Sequence, residues 1–154
     1  MRKITVGLAA LLLTTQQPQN PGYDWFYPQG SRPIGISNKV QNSALYVYDK
    51  APRELALCML GNADTSIRIE DVLIAPVIYS SPDSSSFDLS YCYCFRNYLG
   101  MMHNHNNGIC LASPTDMRRF ASDERAVLEA IVCGTNPDSG SVRFYLAVKT
   151  DEQK

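Results

Sequence analysis

The sequence predicts an α/β (α+β) domain with a mixed, largely antiparallel sheet flanked by helices. Three observations lead there. Apolar and β-branched runs over residues 67–79, 127–133 and 142–148 have strand composition. Two segments, 40–48 and 115–121, have helical spacing or a helix start signal. The sequence Asn136-Pro137-Asp138-Ser139-Gly140 can join the last two strands as a hairpin. A length of 154 residues suits one domain with one core.

From the N-terminus, Arg2 and Lys3 precede an apolar run over 4–13, and 14–19 is polar. This charged start, short apolar run and polar exit match a secretory signal peptide over residues 1–15, and so predict a secreted or periplasmic protein. Leu13-Thr14-Thr15 stands in for the usual A-x-A cleavage site. The alternative is a buried strand or helix of the fold in a cytoplasmic protein. Residues 16–38 hold Pro18, Pro21, Pro28 and Pro33 among Gln, Gly and Asn, and are expected to form a linker or arm. Trp25, Phe26 and Tyr27 would anchor that arm to the domain, which occupies residues 39–154.

Within the domain, Val40, Leu45 and Val47 mark the first helix. Residues 55–60, ending at Gly61, suit a buried strand. Residues 67–79 read as one long strand and 80–86 as a Ser/Pro/Asp loop. The aromatic and apolar segment 89–102 is expected to hold one or two strands. Ser113 as helix N-cap, Pro114 at the first helical position and Asp116 as a capping-box partner start the second helix.

Net charge is −1, from 14 basic and 15 acidic residues, with no Lys/Arg cluster. Nucleic acid is therefore not an expected partner. No apolar run approaches the ~20 residues a membrane span needs. Five cysteines do not close a disulfide framework. Cys58 and Cys133 lie in apolar runs and read as small core residues; Cys92 and Cys94 would share a strand face, and one of them could pair with Cys110.

His103 and His105 are the only histidines. At a strand end, residues i and i+2 share a face, so both rings can bind one metal ion. A seven-residue loop, 106–112, separates them from Ser113-Pro114-Thr115-Asp116. The bland reading of that segment is a helix start and nothing more. The capping box, however, turns the Asp116 carboxylate back towards the loop, where it can supply a third ligand. Two His and one Asp leave the fourth tetrahedral position open for water, as in catalytic zinc sites. There is no H-x-E with P-C-x-x-C, which excludes a zinc deaminase, and no G-x-S-x-G.

His103-x-His105, seven residues and Ser113-x-x-Asp116 together resemble the JAMM (MPN+) metalloprotease motif. The upstream Glu which that motif expects, on a strand ending in glycine, is matched by Glu54 in Arg53-Glu54-Leu55-Ala56-Leu57-Cys58-Met59-Leu60-Gly61. The resemblance covers about residues 40–150 and implies a JAMM/MPN-like (cytidine-deaminase-like) fold. It implies that Zn2+ is held by His103, His105 and Asp116. By the same resemblance Glu54 accepts a proton from the zinc-activated water and passes it to the leaving amine, while Ser113 stabilises the oxyanion. Family members cleave peptide or isopeptide bonds, often beside ubiquitin-like tails. The expected partner is thus a peptide or protein substrate, such as a ubiquitin-like or other C-terminal tail. This chain has Asn106 where many members have proline, and His-Asn-His-Asn-Asn-Gly is nearer the RadC-like branch. Cys110, between the ligands, would be a stray ligand or, preferably, a core thiol. The alternative function is a non-catalytic MPN-like module that binds a partner.

Overall fold

A computed structural model describes residues 22–50, 53–80, 85–105, 109–136 and 141–150. The expected signal peptide and residues 16–21 lie outside the described residues, as does the tip of the final turn, 137–140. The elements are β1 (Tyr23–Phe26), β2 (Ile34–Ser37), α1 (Asn38–Lys50), β3 (Ala56–Ala63), β4 (Ile67–Ile74), β5 (Val77–Ser80), β6 (Ser85–Phe87), α2 (Leu89–Tyr93), β7 (Tyr98–Asn104), α3 (Pro114–Ser122), β8 (Leu128–Asn136) and β9 (Ser141–Val148).

Seven strands form one sheet in the order β1-β2-β4-β3-β7-β8-β9, and β5 and β6 form a separate ribbon. β2 with β4 and β7 with β8 are parallel; the other neighbours in the large sheet are antiparallel. The mixed, largely antiparallel sheet expected from sequence is therefore what forms. Among the described residues no helix is long and apolar enough to cross a membrane.

The central strand β3 is apolar at every position from Ala56 to Leu60 because both its faces are covered. Leu57 and Met59 join a cluster with Ile34, Ile69, Met102 and Leu128, onto which α1 lays Val40 and Ala44. Ala56, Cys58 and Leu60 point the other way, into a cluster with Cys92 of α2 and Phe120 of α3. The sheet is thus a middle layer between α1 on one face and α2 and α3 on the other. The period-2 alternation of β3 assigns each side chain to its layer.

Several expectations are corrected. The stretch expected as linker or arm supplies β1 and β2 from Tyr23 onward, with Ile34 and Ile36 fully buried against the sheet. Trp25 packs over Gly35, whose missing side chain gives the indole its room. The single strand expected over 67–79 is two, broken at Ala75 and Pro76, because proline has no N–H to continue a ladder. Of the expected loop 80–86, Ser80 ends β5 and residues 85–86 belong to β6, while 81–84 lie outside the described residues. The segment 89–102 holds one strand, within the one or two expected, but 89–93 form an unexpected short helix, α2, capped by the Asp88 carboxylate.

Candidate metal centre

β7 pairs with β3 on one side and β8 on the other, with His103 opposite Ala56 and Ile131. Met101 packs in the cluster beneath α2 and α3. His103, two residues on, takes the same face and is 1% exposed. His105 follows just past the strand end. The third group comes from the first turn of α3. Ser113 Oγ accepts from Asp116 N–H at 3.1 Å, and Asp116 Oδ2 accepts from Ser113 N–H at 2.8 Å. This is a complete capping box, and it turns the carboxylate back onto the two rings.

His103 Nε2 and His105 Nε2 are 3.2 Å apart. His103 Nε2 lies 3.3 Å from Asp116 Oδ1, and His105 Nε2 lies 3.2 Å from Asp116 Oδ2. Around a tetrahedral zinc with bonds of about 2.0–2.1 Å, ligand atoms lie roughly 3.3 Å from one another. Each ring nitrogen has its own Asp116 oxygen at about that spacing, so the three groups are close enough to share one ion. Each ring also turns its other nitrogen to an acceptor. His105 Nδ1 is 3.1 Å from Ile109 O, and His103 Nδ1 faces Glu129 Oε1 at 3.5 Å, slightly long for a hydrogen bond. A proton on each Nδ1 leaves both Nε2 lone pairs for a metal. Burial alone would raise the Asp116 pKa. With no ion bound, a proton on His103 Nε2 and the Ser113 bonds outweigh it and hold the carboxyl well below the usual range; a metal would take the place of that Nε2 proton.

Glu54 lies two residues before β3, on the face of Ala56. It offers a carboxylate oxygen within 4.8 Å of a nitrogen of each histidine. Ser113 uses its oxygen as an acceptor for the cap, and a hydroxyl so engaged keeps its own hydrogen to donate. All five residues singled out in the sequence thus converge at the junction of β3, β7 and α3.

No family model and no curated protein matches the chain. Among solved structures it is similar to a JAB1/MPN domain protein of Archaeoglobus fulgidus. The identity is 21%, the match covers 75% of this chain and 94% of that one, and the TM-score is 0.47. A likeness of that degree carries no argument about the site, which stands on its own geometry.

Two features escaped the sequence reading. Glu129 in β8 is 2% exposed and sits between His103 and Arg119, whose Nη2 bonds its Oε1. Burial pushes its pKa up, while the charges of Arg119 and His103 pull it back. The available signal was a lone carboxylate inside the apolar run Val127-Leu128-Glu129-Ala130-Ile131. The second feature is the cysteine pairing. Cys58 of β3 bonds Cys92 of α2, and Cys110 bonds Cys133 of β8, leaving Cys94 as an exposed thiol. Cys58 is a core residue as expected, but bonded; Cys110 and Cys133 are bonded as well, and neither Cys92 nor Cys94 pairs with Cys110. The expected shared face of Cys92 and Cys94 does not exist, because those residues lie at the end of a helix.

Proposed function

We propose that the protein is a zinc-dependent metallopeptidase or isopeptidase of the JAMM/MPN type. One observation carries this reading: two Nε2 atoms and a carboxylate converge at 3.2–3.3 Å with a second carboxylate, Glu54, alongside. His103, His105 and Asp116 would hold the ion. Zinc so bound lowers the pKa of a water towards ~7 and polarises a carbonyl. Glu54 takes the proton of the attacking water and returns it to the leaving amine. The Ser113 hydroxyl donates to the oxygen that gains charge as the carbonyl carbon becomes tetrahedral.

The substrate class is a peptide or protein with an accessible amide bond. The two disulfides suit an oxidising compartment and support export. In that setting a periplasmic or extracellular peptide or wall fragment is a more natural target than a ubiquitin-like tail. N-terminal sequencing of the mature protein tests the location.

Purified protein should carry about one zinc per chain, and His103→Ala should remove it. Glu54→Gln should keep the metal and lose cleavage in a peptide-library digest read by mass spectrometry. An unchanged rate would sink the assignment of Glu54. Folded, zinc-loaded protein that cleaves nothing would favour the partner-binding module.

A further inference from the structure

Pairing of β3 with β7 ends at Ala56 opposite His103. Carried on in register, it would set Leu55 against Asn104 and Glu54 against His105. The ladder is not continued by backbone. Instead Leu55 N–H donates to the side-chain oxygen of Asn104 at 2.9 Å. Asn104 is the residue between the two histidines, and Leu55 is the residue after Glu54. We propose that Asn104 is a positioning residue for Glu54: its amide oxygen extends the β3–β7 register by one residue and so fixes the Glu54 carboxylate over the histidine pair. The inference rests on the reading of Glu54 as proton acceptor.

The physical case has three parts. Glu54 lies outside any strand or helix, so its placement depends on what holds its neighbours. On the strand side that hold is the Asn104 bond, 49 residues away along the chain. Proton transfer needs a carboxylate within about 2.6–3.2 Å of the water it serves. A displacement of about 1 Å can cost on the order of 100-fold in rate. Finally, the amide is neutral, so it sets the backbone without placing another charge beside Glu54 and two metal-binding rings.

The test compares zinc-loaded wild type with Asn104→Leu, which keeps the bulk without the acceptor, and Asn104→Asp, which keeps an acceptor oxygen. For Asn104→Leu, zinc content and KM should be unchanged and kcat should fall about 10–100-fold. Exchange of the Leu55 amide hydrogen, followed by NMR, should quicken at least about tenfold, the loss of roughly one hydrogen bond. Asn104→Asp should keep the slow exchange. Should Asn104→Leu not fold, Asn104→Ser gives the same readings, its hydroxyl being too short to reach. Wild-type kcat in the Leu variant beside an inactive Glu54→Gln would overturn the positioning role alone. Unaltered Leu55 exchange would do the same. Wild-type protein inert towards every peptide would remove the reading of Glu54, and the inference with it.

Discussion

Glu129 shows how one buried carboxylate can govern a site it does not enter. It faces His103 Nδ1 from one side and is held on the other by Arg119, which also lies 3.5 Å from Asp116 Oδ1. Glu129, His103 and Asp116 lie close enough to hold an ion, but Arg119 already supplies a positive charge to both carboxylates, which favours Glu129 as a partner of the histidine. Partners of this kind fix the tautomer and ring angle of a ligating imidazole. Glu129→Leu should therefore weaken zinc binding about 10–100-fold, measured by competition with a chelator. Glu129→Gln, which retains an acceptor oxygen, should lose less. An affinity within twofold of wild type in the Leu variant would remove the role. At this scale the sequence was a good guide to which side chains converge, because the spacing of His103, His105 and Asp116 along the chain is short and fixed. It was a poor guide to Glu129, whose partner in space lies on another strand.

β7 carries the site because it can lie close to its neighbours. Gly100 has φ of +146°, and a Cβ there would fall 1.7 Å from the carbonyl oxygen of Leu128. No movement of a flexible side chain can relieve a clash with backbone. Gly100→Ala should cost about 3 kcal/mol of stability, seen as a lower midpoint of urea denaturation. A variant as stable as wild type would show that β7 and β8 can part without loss. Other elements explain what the sequence revealed and what it hid. α1, α3, β8 and β9 are long or well capped, and their patterns were legible in advance. β1 and β2 are four residues each, and Gly, Pro and polar neighbours obscure their alternation. They exist because a neighbouring strand offers partners, with β2 lying parallel to β4. The helix α2 has five residues and owes its start to Asp88, a cap that an aromatic, apolar stretch made easy to overlook.

The molecule as a whole is held by two covalent ties as well as by its core. Cys58–Cys92 fastens α2 to the central strand across 34 residues of sequence, and Cys110–Cys133 fastens the segment between His105 and Asp116 to β8 across 23. On a chain-entropy estimate, closing loops of these sizes is worth about 3–4 kcal/mol each. Reducing the protein, or making Cys58→Ser with Cys92→Ser, should lower the melting temperature clearly, as read by circular dichroism. Equal melting of reduced and oxidised protein would show that packing alone suffices. The pairing could not be deduced beforehand. Cysteine order along a chain does not reveal which helix or loop packs against which strand, and the bonded pairs are set by that packing rather than by spacing.

His103, Asp116 and Glu129 all come from the single stretch β7–α3–β8, with His105 in the connection, whereas Glu54 comes from just before the start of β3, much earlier in the chain. Contacts that are close in sequence form early, so the His103, His105 and Asp116 cluster can assemble before Glu54 is brought to it. The two capacities can also part company over evolutionary time. On the proposed reading, drift at position 54 alone would leave a chain that could still hold metal without its chemistry. A population of such proteins would diverge first in what they catalyse and only later in what they hold.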